Sequence, residues 1–554
     1  MQYSWRFLTI AGLIVLGMLV LVGRMLDLSV LNRNFLLKQS EARIIRTEDI
    51  PAYRGMMTDR NEVPLAISAP VDSIWVNPQI FKPNNTQLTQ LAAILKQNPQ
   101  EISQHINADS DREFAYLARS LPPETAAEVK ALDINGVFFQ REYRRFYPSS
   151  EVMAQVLGFT NIDDNGQEGL ELAFNDWLRG IPGKRQVVKD RLGHIVSSLG
   201  VVKPPQEGRD LNLSLDSRLQ YLAYTALENA VPKFHADSGS IIVLDVTTGE
   251  ILAMANFPSY NPNARSVHDS RNRNRAATDL FEPGSTMKAF SIASALSSGK
   301  YKPTSIIDTR PGWLDINGRV IHDDDNYGVI NVTQVLVKSS NVGVSKMTLS
   351  LPPENLWNML VKMGFGQHTD SGFPGEASGI LVKDRIKRPT DLATMAYGYG
   401  LSVTALQLVQ AYSILANHGL KRPITFVKAA QPSSGKQVLD SNVATQMLAM
   451  LKAVAENNGG QAKIPGYQVG GKTGTSYIMG PHGYIKNRYN SSFIGIAPLS
   501  SPRLIVAVIL HGVQGNIHFG AQVSAPVFAT IMGSALRFMN IPPDDMKPVL
   551  EATN

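Results

Sequence analysis

A serine and a lysine stand three positions apart, at Ser285 and Lys288, directly before an apolar run at residues 289–296. Side chains at positions i and i+3 lie on one face of a helix, so the lysine amine can reach the serine hydroxyl. A serine hydroxyl is a weak nucleophile until a neighbouring base takes its proton. Gly284 allows a tight turn into the helix. The spacing therefore predicts an activated serine near a helix N-terminus, where free N–H groups favour developing negative charge.

The Ser-x-x-Lys pattern alone is weak evidence, because it occurs twice more, at Ser297/Lys300 and Ser433/Lys436. Both further copies read Ser-Ser-Gly-Lys, a composition typical of a helix end or a loop. A solvated serine beside a solvated lysine is the default interpretation of any single copy. The copy at Ser285 is distinguished by the helix that it opens and by two further segments.

Those segments are a Ser-x-Asn pattern at Ser339 and Asn341 and a Lys-Thr-Gly pattern that begins at Lys472. Ser-x-Asn also occurs elsewhere, whereas Lys-Thr-Gly occurs only once in the chain. Ser-x-x-Lys, a serine–asparagine element and Lys-Thr-Gly, in this order, are the signature of class A β-lactamases and penicillin-binding proteins. The three segments together predict a serine enzyme that transfers acyl groups.

The composition of the 554-residue chain excludes several other kinds of chemistry. It contains no cysteine, which rules out disulfides, thiol catalysis and cysteine-metal sites, and its 10 histidines form no His-Glu-x-x-His pattern. The net charge is +6 without a long basic run, which argues against nucleic-acid binding and is typical of a surface near an anionic membrane or polymer. We therefore expect no metal, no cofactor and no nucleic-acid partner.

An uncharged apolar run at residues 7–23, which residues 25–26 can extend past Arg24, predicts a transmembrane anchor at 7–26. A cleaved signal peptide is the competing interpretation, but its apolar core is usually shorter, and no Ala-x-Ala-like site follows. Basic residues are more frequent after the run than before it, so the positive-inside rule does not decide the orientation.

Beyond the anchor, the apolar pattern predicts an α+β chain with two large domains and a tail. We expect domains at 27–205 and 210–540, a proline-containing linker near 201–208, and a tail at 541–554. Helices are predicted at 34–40, 87–96, 99–106, 123–132, 170–178, 217–231 and 525–539. Strands are predicted at 240–246, 250–255, 492–497 and 503–510, with Lys472 at a strand edge beside the serine.

Over nearly its whole length the chain resembles the class B penicillin-binding proteins, specifically the FtsI-type septal transpeptidases. The resemblance rests on the three motifs and on further residues: Arg54, Gly55, Asp59, Arg60, Asn61, Arg145, Phe146, Tyr147, Pro148, Gly166, Glu168, Gly169, Glu171, 399–404 and 525–528. Two positions depart from related patterns. Glu62 stands where the family usually has glycine, and Ser340 stands where class A enzymes have aspartate.

The resemblance implies a D,D-transpeptidase that cross-links peptidoglycan stem peptides in the periplasm, at the division septum, and is a target of β-lactams. The implied fold is a short cytoplasmic start at 1–6, the single inner-membrane anchor at 7–26, an elongated periplasmic pedestal at 27–205, and a transpeptidase domain at 210–540. That last domain would resemble the serine β-lactamases, with an antiparallel sheet covered by helices. The implied partners are an FtsW-type glycosyltransferase and other divisome membrane proteins.

Residue chemistry and the resemblance together assign the catalytic roles. Ser285 would attack the carbonyl of a terminal D-Ala-D-Ala, and Lys288 would be the base, with a pKa lowered by burial or by the charge of Lys472. Ser339 would relay the proton to the leaving amine, with Lys472 tuning the transfer. Asn341 would form a hydrogen bond with the substrate amide.

The remaining predicted site residues bind substrate. Lys472, Thr473 and Thr475 would bind the substrate carboxylate with one cation and two hydroxyls. Gly474 would give the substrate backbone room to approach. In the family, the backbone N–H groups of Ser285 and Thr475 form the oxyanion hole.

Three other functions fit parts of this pattern. A β-lactamase or D,D-carboxypeptidase would use the same serine chemistry, but a class A β-lactamase is much shorter and needs a deacylating glutamate that cannot be placed here. A β-lactam sensor or inactive scaffold normally needs a cytosolic output domain, and only residues 1–6 precede the predicted anchor. An elongation-type transpeptidase is the closest rival, and the Lys-Ser-Ser-Asn-Val-Gly context at 338–343 favours the septal type by analogy.

Overall fold

The computed structural model describes residues 4–35, 45–190, 195–264, 271–457 and 461–545. Its helices are α1 (Ser4–Leu26), α2 (Asn85–Leu95), α3 (Pro99–Ala108), α4 (Pro123–Lys130), α5 (Ala154–Leu157), α6 (Gly169–Ala173), α7 (Asn175–Leu178), α8 (Ser217–Lys233), α9 (Arg275–Thr278), α10 (Lys288–Ser297), α11 (Val332–Val337), α12 (Asn341–Leu349), α13 (Pro353–Met363), α14 (Pro389–Ala396), α15 (Ala405–Ala416), α16 (Ser441–Asn457) and α17 (Gly520–Phe538). Its strands are β1 (Ile45–Ile50), β2 (Met57–Thr58), β3 (Pro64–Val76), β4 (Ala115–Leu121), β5 (Val137–Phe146), β6 (Gly183–Lys189), β7 (Ile195–Lys203), β8 (Leu211–Asn212), β9 (Ser238–Asp245), β10 (Ile251–Phe257), β11 (Ile306–Asp308), β12 (Trp313–Ile316), β13 (Arg319–His322), β14 (Val329–Asn331), β15 (Leu420–Lys421), β16 (Lys436–Gln437), β17 (Gly470–Gly480), β18 (Gly483–Ala497) and β19 (Leu504–Val513).

The first helix is the part of the described chain that is long and apolar enough to cross a membrane. The stretch Trp5–Leu31 has a mean hydropathy of 2.3, and its most apolar window is 0% buried inside the protein. A helix of about 20 apolar residues spans a bilayer core. α1 is therefore compatible with the single-pass anchor predicted at 7–26. Most of the helix predicted at 34–40, and most of the predicted tail, lie outside the described residues.

Contacts among residues divide the chain into two compact units. Unit 1 comprises Met1–Gly55, Ser68–Arg144 and Arg179–Arg209, and unit 2 comprises Met56–Ile67, Arg145–Leu178 and Asp210–Asn554. Unit 2 thus takes two segments from the N-terminal part of the chain. The division into consecutive domains at 27–205 and 210–540 stays a prediction, since it follows chain order rather than contacts.

Unit 1 contains a three-stranded sheet and a separate apolar core. In the sheet, β6 lies between β1 and β7 and pairs antiparallel with both. The core combines residues of β3 and β4 with residues of α2, α3 and α4, including buried Ile74, Leu91, Ile102, Leu117 and Val129. These three helices are those predicted at 87–96, 99–106 and 123–132. α2 begins at Asn85, two residues before the predicted start, because Asn84 and Gln87 form a capping box.

Unit 2 is organised around a five-stranded antiparallel sheet in the order β10-β9-β19-β18-β17. Every residue of β9 is buried. Ile241 and Val243 belong to a core shared with α8 and α17, whereas Ile242 and Leu244 belong to a core shared with α10 and α15. Because side chains alternate along a strand, helices cover both faces of this sheet, and the strand reads as a continuous apolar run.

Distant chain segments build this sheet, as the sequence predicts. The strands predicted at 240–246 and 250–255 are β9 and β10, and those predicted at 492–497 and 503–510 are the end of β18 and most of β19. The helices predicted at 217–231 and 525–539 are α8 and α17, whereas the one predicted at 170–178 is two short helices, α6 and α7. β17, which contains Lys472, is the last strand at one edge of the sheet.

The segment 56–67 joins unit 2 through a buried aspartate. Asp59 has no exposed surface, and its Oδ2 accepts hydrogen bonds from the backbone N–H and the hydroxyl of Ser217 at 3.1 and 2.7 Å. Its Oδ1 accepts the backbone N–H groups of Asn61 and Val63 at 2.7 and 2.9 Å. The motif that contains Asp59 therefore closes a tight turn onto the first residue of α8.

Glu62 lies in this turn and adopts a φ of 66°. Its backbone N–H donates to the Asp59 carbonyl oxygen at 3.0 Å, so the turn is closed. The left-handed conformation costs an L-residue about 1–2 kcal/mol, whereas glycine adopts it freely. This is the physical reason for a glycine preference at the position, and the glutamate adopts the strained conformation instead of altering the turn.

Candidate active site

Ser285 lies in a single 3-10 turn, Gly284–Met287, which leads directly into α10. Gly284 has a φ of 55°, and a Cβ there would lie 2.9 Å from the carbonyl oxygen of Thr475. Both the backbone conformation and the close approach of β17 therefore require glycine. A helix starts beside the serine as predicted, although the turn of the serine itself is 3-10 rather than α-helical.

Lys288, the first residue of α10, has only 1% of its surface exposed. Its Nζ donates hydrogen bonds to Ser285 Oγ at 3.0 Å and to Ser339 Oγ at 3.1 Å, and it also contacts the Ser339 carbonyl oxygen. At this distance a neutral lysine nitrogen can take the proton of the serine hydroxyl. The helical spacing brings Lys288 to Ser285, whereas Ser339 reaches it only through the tertiary fold.

The hydroxyl of Ser339 lies between two lysines. The Nζ of Lys472, on β17, donates to Ser339 Oγ at 3.1 Å, which matches the distance from Lys288 on the other side. Ser339 has a φ of 56°, a conformation that non-glycine residues hold only where their surroundings enforce it. One hydroxyl thus bridges both amines, which is the arrangement that the predicted proton relay needs.

Burial determines the protonation of the two lysines. It lowers the pKa of Lys288 well below the usual value, the charge of Lys472 lowers that pKa further, and Asp323 and Asp324 raise it. Burial alone lowers the pKa of Lys472 to about 8. At pH 7 Lys472 therefore keeps most of its positive charge, whereas Lys288 is biased towards the neutral amine that a base requires.

Asn341 opens α12, and its side chain is partly exposed. Its Nδ2 donates to the backbone carbonyl oxygen of His322 at 2.9 Å. Since the amide nitrogen is bound to the protein, Oδ1 is the atom with which Asn341 can accept a substrate N–H. This geometry agrees with the predicted contact to a substrate amide.

Buried and partly exposed residues alternate along β17. Thr473 and Thr475 are partly exposed, whereas Lys472 and Gly474 are buried. The Nζ of Lys472 lies 3.4 Å from Thr473 Oγ1, and Thr475 Oγ1 accepts the backbone N–H of Gly520 at 3.1 Å. The sequence predicts a carboxylate site of one cation and two hydroxyls. The structure places the two hydroxyls on the accessible side and the ammonium behind them, where it acts by its charge.

Packing within the protein is a further physical reason for glycine at position 474. A Cβ at this position would clash with Ser492 Oγ of β18, and it would lie 2.9 Å from the carbonyl oxygen of Pro283 and 3.0 Å from Thr286 Cγ2. The missing side chain therefore makes room for the neighbouring strand and for the turn that carries Ser285, and the predicted approach of a substrate backbone stays a prediction. Glycine lets β17 pack directly against the turn that carries Ser285.

The other two Ser-x-x-Lys copies lie at the surface. Ser297 and Lys300 are exposed at the C-terminal end of α10, and Lys300 Nζ donates to the Ser350 carbonyl oxygen at 2.8 Å. Ser433 and Lys436 are also exposed. Because water solvates these lysines, neither has the desolvation that favours a neutral amine.

Two carboxylates beside the motifs have no predicted role. Glu282 accepts the backbone N–H of Gly400 at 2.7 Å and the hydroxyl of Tyr484 at 2.9 Å, and burial raises its pKa. Asp323 accepts hydrogen bonds from the Ser-x-Asn turn. The run of three aspartates at 323–325 is the one sequence signal that points to the second carboxylate.

Comparison with known proteins gives two family matches and full-length relatives. A model for the penicillin binding protein transpeptidase domain matches residues 239–533, and one for the penicillin-binding protein dimerisation domain matches residues 49–213. The chain is 43% identical over 547 residues to the probable peptidoglycan D,D-transpeptidase PbpC of Pseudomonas aeruginosa, with 98% of this chain and 97% of that protein covered. It is 40% identical to the peptidoglycan D,D-transpeptidase FtsI of Escherichia coli K12, with 98% and 93% covered.

Solved structures agree with these matches. The transpeptidase domain of Burkholderia pseudomallei penicillin-binding protein 3 is 42% identical, with a TM-score of 0.56 that covers 60% of this chain and 98% of that one. Penicillin-binding protein 3 of Mycobacterium tuberculosis, complexed with ampicillin, is 25% identical, with a TM-score of 0.69 and coverage of 90% and 98%. Motifs, site geometry, sequence and fold point to the same family. This chain belongs to the class B penicillin-binding proteins of the FtsI type.

Proposed function

We propose that this chain is a peptidoglycan D,D-transpeptidase that works through an acyl-enzyme on Ser285. The observation that carries the proposal is the buried Nζ of Lys288 at 3.0 Å from Ser285 Oγ, continued through Ser339 to Lys472. The names of PbpC and FtsI describe D,D-transpeptidases, which supports the same reaction here.

In the acylation step, Ser285 Oγ attacks the penultimate carbonyl carbon of a stem peptide while Lys288 takes the hydroxyl proton. The peptide C–N bond then breaks, and the leaving D-alanine nitrogen receives a proton through Ser339. The positive charge of Lys472, 3.1 Å from the Ser339 hydroxyl, favours the neutral form of Lys288 during this exchange. The product is an ester between Ser285 and the donor peptide.

In the second step, the amine of a neighbouring stem peptide attacks the ester carbonyl carbon. A new C–N bond forms, the Ser285 C–O bond breaks, and the amine proton returns to the serine oxygen through Lys288. The two peptides are then cross-linked, and the enzyme regains its starting form. No net redox change occurs, and no further reactant is needed.

The edge strand supports recognition of the donor. Thr473 and Thr475 present hydroxyls on the accessible side of β17, and Lys472 adds a positive charge behind them. This set suits the C-terminal carboxylate of a D-Ala-D-Ala peptide and the carboxylate of a β-lactam alike. Backbone N–H groups at Ser285 and Thr475 would stabilise the oxyanion in both reactions.

A β-lactam should therefore label the chain once, on Ser285. We expect intact-mass measurement after incubation with benzylpenicillin to show a single adduct, and peptide mapping to place it within residues 281–290. The reason is that the hydroxyl of Ser285 lies 3.0 Å from the buried amine of Lys288, whereas Ser297 and Ser433 are exposed beside solvated lysines. Ser285→Ala is the matched control and should remain unlabelled. Labelling at Ser297 or Ser433 would contradict the assignment.

We place the reaction on the outer side of the cytoplasmic membrane. The support is α1, whose length and composition suit a single-pass anchor, and the extracytoplasmic location of the peptidoglycan substrate. In this arrangement residues 1–6 are cytoplasmic and the segments after the anchor are periplasmic. The resemblance to FtsI supports a location at the division septum, with an FtsW-type glycosyltransferase and other divisome proteins as partners.

Fusion reporters test this placement. We expect a reporter that is active only in the periplasm to be active when fused after Asn554, and the mature chain to keep its N-terminal residues. A fluorescent fusion should concentrate at the septum of dividing cells. A cytoplasmic C-terminus would contradict the transpeptidase assignment, whereas uniform side-wall fluorescence would favour the elongation-type role.

A further inference from the structure

We propose that Asp323 is a positioning residue of the transpeptidase reaction, which holds the turn at Ser339–Asn341 in its reactive geometry. The proposal rests on the proposed function of the site. Asp323 lies outside the three motifs and directly follows β13 in the chain. Asp323 acts through Ser339 and Lys288, without touching the substrate.

The carboxylate of Asp323 binds the turn at two points. Its Oδ2 accepts the hydroxyl of Ser340 at 2.6 Å, and its Oδ1 accepts the backbone N–H of Val342 at 2.9 Å. Ser340 has no exposed surface, so this contact is shielded from competing water. Val342 lies in the first turn of α12, where N–H groups lack helical partners and a negative charge is favourable.

Asp323 is itself fixed. Its backbone N–H donates to the carbonyl oxygen of Gly312 at 2.9 Å, and the preceding His322 carbonyl accepts the amide of Asn341 at 2.9 Å. Two consecutive residues at the end of β13 therefore bind both residues that follow Ser339. The short strand acts as a rigid support for the turn.

Ser339 needs such a support because of its backbone. Its φ of 56° lies in the left-handed region, which an L-residue leaves unless neighbouring contacts hold it there. The Ser339 hydroxyl must stay within hydrogen-bond distance of Lys288 and Lys472 at the same time. Loss of the Asp323 contacts would let the turn relax and break this bridge.

The charge of Asp323 has a separate effect on the base. The charged groups acting on Lys288 are Lys472 from β17, which lowers its pKa, and Asp323 and Asp324 from the loop after β13, which raise it. Removing the Asp323 charge therefore lowers the pKa of Lys288. The acid limb of the acylation rate, which reports deprotonation of the base, must then move to lower pH.

The test measures the acylation rate constant of the full-length protein at saturating benzylpenicillin across pH, together with its melting temperature. Asp323→Asn keeps the size of the side chain but loses its charge and one acceptor oxygen. We expect the rate constant at its optimum to fall about tenfold, as for loss of a hydrogen bond to a charged group, and the acid limb to move to lower pH. Asp325→Asn is the matched control. Asp325 is exposed and does not act on Lys288, so its variant should keep the wild-type rate and profile.

Ser340→Ala separates the two effects, because it removes the held hydroxyl and keeps the Asp323 charge. We expect a lower rate constant with the acid limb in its wild-type position. The inference is wrong if Asp323→Asn acylates with the wild-type rate and pH profile. It is also wrong if the acylation rate of Asp323→Asn falls only as much as the fraction of folded protein falls, and the acid limb of the rate does not shift. Failure of the proposed function would look different, since the wild-type protein itself would then show no adduct on Ser285.

Discussion

Replacing Lys288 with alanine should lower the rate constant for acylation of Ser285 by about 10²–10⁴-fold, the usual contribution of a general base. The buried amine of Lys288 lies 3.0 Å from Ser285 Oγ, and burial together with the charge of Lys472 biases it towards the neutral form. Without it, no other amine lies within hydrogen-bond distance of Ser285 Oγ among the described residues. The measurement is time-resolved intact mass at saturating benzylpenicillin, which separates acylation from binding.

Two further variants make this result specific. Lys288→Met fills much of the same volume without an amine, so an equal loss in both variants excludes a cavity effect. Lys300→Ala is the matched control, because Lys300 also follows a serine by three residues but is exposed. It should acylate at the wild-type rate. Acylation of Lys288→Ala within a few-fold of wild type would show that another group is the base.

Replacing Lys472 with alanine should weaken β-lactam binding by about ten- to hundredfold, the effect expected for a lost interaction with a charged group. The threonine hydroxyls would remain, but the cation behind them would be gone. The acid limb of the acylation rate should also move to higher pH. The sign follows from repulsion: the charge of Lys472 lowers the pKa of Lys288, so its loss raises that pKa and reduces the neutral fraction at pH 7.

The pH profile distinguishes this role from a purely structural one. Lys472→Arg keeps the positive charge and should leave the acid limb close to its wild-type position, whereas Lys472→Ala should not. At saturating drug and at a pH above the limb, Lys472→Ala should acylate much faster than Lys288→Ala. If both alanine variants lost the same acylation rate under those conditions, the division of roles between the two lysines would be wrong. If the acid limb of the acylation rate did not shift in Lys472→Ala, the charge of Lys472 would not be lowering the pKa of Lys288.

The sequence was most informative where local spacing sets geometry. A spacing of three residues along a helix puts Lys288 on the same face as Ser285, regardless of the rest of the fold. The apolar run that follows the pair predicts α10. The continuous apolar runs of β9 and β19 predict buried strands because each strand has helices on both faces. The buried turn at Asp59 explains a familial motif, but no pattern showed that its segment belongs to unit 2.

The local sequence pattern did not reveal which atoms from other segments occupy the space around a residue. Gly474 was assigned to substrate approach, and the structure adds that a Cβ there would clash with Ser492 Oγ and with the turn at Pro283. Lys472 was expected to bind a carboxylate together with two threonines, and only the structure shows that alternation along β17 buries the lysine and leaves Thr473 and Thr475 accessible. Asp323 belongs to no recognisable motif, because its function depends on the turn at Ser339–Asn341, which lies elsewhere in the chain.

By itself, the sequence predicted Ser285 as the nucleophile, Lys288 as its base, the family of the chain and the elements that carry each motif, because these depend on residue types and short-range spacing. Only the tertiary structure decided that Ser339 lies between Lys288 and Lys472, because the three residues come from α10, a turn before α12 and an edge strand. It also decided the chemistry of the two lysines. A lysine becomes a base only when other segments bury it and place charges near it, and neither condition is written in the spacing of its own motif.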